Sequence, residues 1–210
     1  MLRITRGYAD VEMDKIICVG KNYLEHAQEL GDAVPEKPVL FLKPPSVLSQ
    51  PPHPGTPLEI PLPRGKGEVH YETEIVLRLK DGKPEAAAIG LDLTLRTLQA
   101  QLKKAGHPWT LGKVFPHAAV VGPWVQLSQF PNYLEEPFQL LVNGQVRQSG
   151  LGKDMRMGPV SLIQYISEWF PVCEGDLLFT GTPAGVGEVR PGDRLQITWG
   201  SQYSYWVSTT

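Results

Sequence analysis

Val69-His70-Tyr71-Glu72-Thr73-Glu74-Ile75-Val76-Leu77-Arg78-Leu79 alternates almost perfectly. Val69, Tyr71, Thr73, Ile75, Leu77 and Leu79 fall on one side of an extended chain, and His70, Glu72, Glu74, Val76 and Arg78 on the other. The first set, rich in β-branched and aromatic side chains, suits a core-facing strand surface. Glu72 and Glu74 then stand side by side on the opposite face, with Cα atoms roughly 6.5–7 Å apart from the rise per residue. Like charges that close repel unless water or a cation lies between them. Taken alone, the stretch reads first as a half-buried strand with a solvated outer face.

The chain around it has the texture of a strand-rich protein. Twenty prolines and twenty-one glycines sit mostly between short apolar runs, which predicts many strands and turns and few helices. Strands are expected at 15–19, 38–43, 122–125, 138–142 and 177–179, with two more closing the chain, and Asn143-Gly144 is the two-residue turn of a hairpin. Three helices are expected. One spans 22–31, with Asn22 and Glu25 as a capping box and Gly31 as its stop. Leu95, Leu98, Leu102 and Ala105 recur at helical spacing up to Gly106, and 160–170 forms an amphipathic helix with Leu162, Ile163, Ile166, Trp169 and Phe170 inward.

Several polar residues fall where chemistry is possible. Asp92 lies at a strand-to-helix junction, where it either favours the helix start or adds a third hard oxygen donor to Glu72 and Glu74. Three carboxylates with water completing the shell suit Mg²⁺ or Mn²⁺. His26 and Glu29, three apart, share a helix face; a carboxylate beside an imidazole fixes its tautomer and raises its basicity, as a water-activating base requires. The same pair is also an ordinary exposed helix pair. Lys43 ends an apolar strand, and Lys113 lies in Trp109-Thr110-Leu111-Gly112-Lys113-Val114-Phe115; each faces either solvent or an anionic site. In Thr180-Gly181-Thr182-Pro183-Ala184-Gly185-Val186-Gly187, three glycines let backbone approach a ligand and two hydroxyls can donate to an anion. The loop lacks the Gly-Lys-Ser/Thr ending of a Walker motif.

Composition bounds the rest. A chain of 210 residues suits one large domain, or a lead-in of residues 1–14 followed by one domain over 15–210. With a net charge of −2 and no basic cluster interleaved with aromatics, nucleic acid is not expected as a partner. No apolar run spans a bilayer and no signal-peptide core is present, so a cytoplasmic protein away from membranes is expected. Cys18 and Cys173 both sit in apolar runs and are expected as buried thiols.

In their order and spacing these pieces resemble the fumarylacetoacetate hydrolase family, specifically its short members such as acylpyruvate hydrolases and oxaloacetate tautomerases or decarboxylases. The resemblance is carried by Gly20-Lys21-Asn22-Tyr23 with His26 and Glu29, Phe41-Leu42-Lys43-Pro44, His70-x-Glu72-x-Glu74, Asp92-Leu93-Thr94, Trp109-Thr110-Leu111-x-Lys113, Val142-Asn143-Gly144 and the 180–187 loop. It implies a β-rich α+β fold on a rolled mixed sheet, usually in a homodimer. It also implies Mg²⁺ or Mn²⁺ on Glu72, Glu74 and Asp92, with Lys113 stabilising an enolate and His26 and Glu29 forming a dyad on a lid helix. Thr182, Gly181, Gln99 and Lys43 would bind a small oxo or diketo acid. The implied reaction is hydrolytic cleavage of an acylpyruvate-type C–C bond. Tautomerisation, isomerisation or decarboxylation of oxaloacetate or a related oxo acid on the same site is the first alternative, and a catalytically weak oxo-acid-binding protein the second. Two positions depart from the family pattern and bear on substrate choice: Thr97 and Pro116 each stand where the family usually has Asp.

Overall fold

The large sheet is built around the opening stretch. The computed structural model describes residues 13–29, 35–53, 55–201 and 203–210, so most of the 1–14 lead-in and the expected helix stop at Gly31 lie outside the described residues. Strand Thr73–Lys80 pairs antiparallel with Lys83–Asp92, with Thr73 opposite Leu91 and Ile75 opposite Ile89. On its other edge lies Leu177–Phe179, which runs parallel to Ile16–Gly20; that strand in turn pairs antiparallel with Val39–Lys43. Beyond Lys83–Asp92 come Ala119–Val121 and Leu48–Ser49. Parallel and antiparallel pairs are mixed, and strands dominate the described chain: the fold is a β-rich α+β fold on a curled mixed sheet.

This sheet is covered on both faces. Ile75, Val76 and Leu77 are consecutive and all 0% exposed. The solvated outer face that the stretch suggests when taken alone is therefore absent, and Glu72 and Glu74 are buried as well, at 7% and 2% exposure. The expected single strand over 69–79 also breaks, at Glu72. Val69–Tyr71 belongs to a small sheet with Gly187–Val189 and Thr94–Leu95, whereas Thr73 onward belongs to the large one. The chain changes sheets at the glutamate, whose carbonyl accepts the Asp92 N–H at 2.8 Å.

A second sheet, in the order Gln145–Leu151, Pro137–Val142, Arg194–Trp199, Tyr203–Thr209 and Leu58–Ile60, packs against the first. Trp199, fully buried, is met edge-on by Phe130, Tyr133 and Tyr203 at 4.8, 6.1 and 6.0 Å between ring centroids. The Tyr205 and Tyr203 hydroxyls donate across the layers to the Ile89 and Pro123 carbonyls at 2.9 and 2.7 Å. The Asn143-Gly144 hairpin forms as expected, both residues taking positive φ (51° and 79°) as a type I′ turn demands.

The α-helices among the described residues are Leu24–Glu29, Arg96–Lys104 and Pro159–Ser167. Three expectations about them and their surroundings fail. Asn22 does not cap the first helix: its side chain accepts the Met157 N–H and donates to the Met157 and Thr180 carbonyls, tying the helix entry to the glycine-rich loop. Trp169 is 63% exposed because the last helix ends at Ser167, before it. Cys173 is exposed, in the turn leading into Leu177–Phe179, whereas Cys18 is buried in its strand. No helix among the described residues is long and apolar enough to cross a membrane.

Candidate active site

Glu72, Glu74 and Asp92 reach one place from two strand ends. Glu72 sits at the break between sheets, Glu74 two residues on, and Asp92 at the last position of the antiparallel neighbour. One carboxylate oxygen of each lies within 4.8 Å of the others, and all three residues are buried. Asp92 does not serve as a helix cap; Leu95 takes the N-cap position of the following helix.

Three cations surround the acids. The Lys113 ammonium, 3% exposed, donates to Glu72 Oε2 at 2.8 Å, Asp92 Oδ2 at 2.6 Å and Thr94 Oγ1 at 2.7 Å. Burial alone would depress it, but the charges of Asp92 and Glu72 outweigh that and hold it above the usual lysine value. Arg96 pairs with Glu72 Oε1 and donates to Gln99 Oε1 at 3.1 Å. Lys43 lies 2.5 Å from Asp92 Oδ1.

Glu74 differs from its neighbours. It accepts the Gly181 N–H at 2.7 Å, and burial, followed by the charges of Asp92 and Glu72, pushes its carboxyl well above the ordinary glutamate range. That is the test of fit for a metal. Three buried carboxylates cannot all stay ionised cheaply at this separation, and a divalent cation among their converging oxygens removes the conflict. The donor set is all hard oxygen, which suits Mg²⁺ or Mn²⁺ rather than zinc.

The acids line a cavity of about 350 Å³ that Lys113, Arg96, Gln99, Thr182, Lys21, Lys103, Phe41 and Trp109 also border. Phe41 and Trp109 meet edge-to-face at 5.0 Å, and the Lys113 ammonium lies 5.0 Å from the Phe41 ring centre. Thr182 is positioned by a residue that sequence reasoning missed. Gln148, 1% exposed, donates to Thr182 Oγ1 at 2.8 Å and to Pro183 O at 3.0 Å, while accepting the Thr73 N–H at 2.9 Å. Nothing in the strand around Gln148 marks it; only the fold brings it beneath the loop. The Thr182 hydroxyl donates to Thr73 O at 2.9 Å, so its single proton is committed within the protein.

Two residues that the resemblance assigns to substrate, Gly181 and Lys43, stand just outside the cavity lining. Gly181 gives its N–H to Glu74, and its φ of 99° with a notional Cβ only 2.8 Å from the Asn22 Cβ explains why glycine stands there. The Lys43 ammonium lies behind Asp92, against its Oδ1. The expected dyad is described only in part. The Glu29 carboxylate accepts the Gly185 N–H with both oxygens at 3.1 and 3.2 Å, tying its helix to the glycine-rich loop, whereas the His26 side chain lies outside the described residues. Thr97 and Pro116, the two departures from the family pattern, are both exposed and neither lines the cavity.

The family model described as fumarylacetoacetate (FAA) hydrolase C-terminal matches residues 15–202. An oxaloacetate tautomerase of Escherichia coli is 36% identical over 202 residues, covering 90% of each chain. A mitochondrial oxaloacetate tautomerase of Arabidopsis thaliana is 42% identical over 195 residues, covering 86% of this chain and 84% of that one. Among solved structures, fumarylpyruvate hydrolase from Pseudomonas aeruginosa in complex with Mn²⁺ and pyruvate superposes with a TM-score of 0.90 at 31% identity, over 99% of this chain and 94% of that one.

Proposed function

The chain belongs to the fumarylacetoacetate hydrolase family and is one of its enzymes, and from that premise we propose that it catalyses keto–enol tautomerisation of oxaloacetate or a closely related 2-oxo acid at a divalent metal centre. The observation that carries the reading is the convergence of Glu72, Glu74 and Asp92 in a cavity that Lys21, Arg96, Lys103 and Lys113 also border. Glu72, Glu74 and Asp92 hold the ion, Mg²⁺ or Mn²⁺, which when bound supplies Lewis-acid polarisation of the 2-oxo group and charge to favour the enolate.

The protein's own groups do the rest. Lys113, held protonated by Asp92 and Glu72, serves as a fixed charge and donor toward developing negative charge on oxygen, not as a base. Lys21, Arg96 and Lys103 border the cavity and suit a second carboxylate on the substrate, as oxaloacetate carries; a plain acyl chain has no use for them. Gln99, which lines the cavity, is assigned to substrate oxygen, and Thr182 offers its backbone N–H beside a hydroxyl fixed by Gln148. His26 is assigned as the proton carrier. It takes a proton from the carbon next to the 2-oxo group, on a helix that Glu29 docks against the loop. Residues 15–210 are assigned to one catalytic domain, and the enzyme to a homodimer.

Hydrolysis of an acylpyruvate, which sequence reasoning placed first, remains the second reading. The likeness to the fumarylpyruvate hydrolase structure favours it, and the same residues would serve if His26 activated water instead. The test follows the enol absorbance of oxaloacetate and of acylpyruvates with the purified protein, Mg²⁺ or Mn²⁺, and chelator. Metal-dependent acceleration of the oxaloacetate enol–keto exchange without C–C cleavage is expected. Metal-dependent cleavage of an acylpyruvate with no effect on oxaloacetate would install the hydrolase instead.

A further inference from the structure

Lys43 is as buried as a core leucine, at 1% exposure, and closes the strand Val39–Lys43 with its ammonium turned inward. Its Nζ donates to Leu93 O at 3.1 Å and Ala118 O at 2.5 Å, and lies 2.5 Å from Asp92 Oδ1. Two carbonyls take protons of the ammonium, and Asp92 Oδ1 holds its charge in a close ion pair, all on the side of Asp92 away from Lys113. The two carbonyls belong to the residue after Asp92 and to the one before strand Ala119–Val121, so the lysine pins the end of the Asp92 strand from behind. Lys113 meets the other Asp92 oxygen, Oδ2, from the cavity side.

Burying an ammonium costs several kcal/mol of desolvation in general, recovered only where close partners answer the charge. A charge retained there is explained by what it does to Asp92. Resting on the metal reading above, we infer that Lys43 is a positioning residue for the metal centre. It fixes the orientation of the Asp92 carboxylate and offsets part of its charge, so that three acids sit together before any cation arrives. It acts through Asp92 and touches neither substrate nor reacting atoms. Partners behind metal-ligating carboxylates typically contribute 10–100-fold to metal affinity.

The test titrates wild type, Lys43→Met and Lys43→Gln with Mn²⁺, reading free Mn²⁺ by electron paramagnetic resonance. Folding of each is checked by circular dichroism in chelator, and the KM for oxaloacetate is measured at saturating Mn²⁺. The inference predicts a Mn²⁺ Kd raised about 10–100-fold in the variants with substrate KM unchanged within about twofold. Lys43→Gln keeps a donor toward the carbonyls and decides the matter if Lys43→Met does not fold. An unchanged Kd with a raised KM makes Lys43 a substrate contact, and an unchanged Kd with only a lowered melting temperature makes it structural; either overturns the inference. Failure of both variants to fold overturns it too. Should wild type itself bind no Mn²⁺, the metal reading fails, a result distinct from variants that bind as wild type does.

Discussion

Asp92 and Asp176 are buried to the same degree, 1% and 0% exposed, and each faces a lysine. Asp176 accepts the Lys15 N–H at 3.1 Å, the Cys173 N–H at 2.8 Å and the Lys15 ammonium at 2.8 Å. Two backbone donors and one cation answer one carboxylate, and they stitch strand Ile16–Gly20 to strand Leu177–Phe179. Asp92 instead shares its space with Glu72 and Glu74, divides Lys113 with Glu72, and borders a cavity. Burial of an acid therefore marks nothing by itself. Like charges crowded around open space, with cations in reach, separate a reaction site from a structural clasp.

The sharpest way to break this contrast is to neutralise one acid of each kind. Glu74→Gln removes a ligand while relieving the crowding, so activity should fall about 10³-fold or more through lost charge stabilisation, with no loss of melting temperature in chelator. Because burial and its neighbours raise the Glu74 carboxyl in the fold, the metal-free wild type should lose stability as pH climbs above the ordinary glutamate range. Glu74→Gln should flatten that slope in thermal melts. His26→Ala tests the other end of the site: general-base loss costs about 10²–10⁴-fold in turnover, while Mn²⁺ affinity should stay as in wild type. Asp176→Asn should cost about 2–3 kcal/mol in urea unfolding, since two N–H groups and one largely buried ammonium lose a charged acceptor. Its Mn²⁺ affinity and turnover should match wild type. Thr97→Asp, which restores the family residue at an exposed position, should change kcat/KM by less than about threefold, an ordinary surface effect.

Much of the strand plan was legible because its signals are local. Asn143-Gly144 can hardly do anything but turn a hairpin, and the runs at 15–19 and 177–179 are too short for helices. The period-two pattern correctly put Glu72 and Glu74 on neighbouring positions of one face, and Asp92 ends the strand that pairs with theirs. What failed depends on partners distant in sequence. The break at Glu72 arises because the chain leaves one sheet for another, which no alternation records. Lys43 looked like a lysine free to reach solvent or an anion; its direction is set by Asp92, Leu93 and Ala118, 49 to 75 positions away. Gln148 and Asn22 are likewise ordinary polar residues until the glycine-rich loop is laid over them. Trp169 and Cys173 sit beyond the ends of their elements, where a helical or strand period no longer governs which way a side chain points.

The central claim is most directly tested by anomalous diffraction at the manganese edge from crystals grown with Mn²⁺. One peak per chain, bounded by carboxylate oxygens of Glu72, Glu74 and Asp92, is the predicted result. Density showing the three carboxylates with no ion between them, or manganese bound elsewhere on the chain, would contradict it.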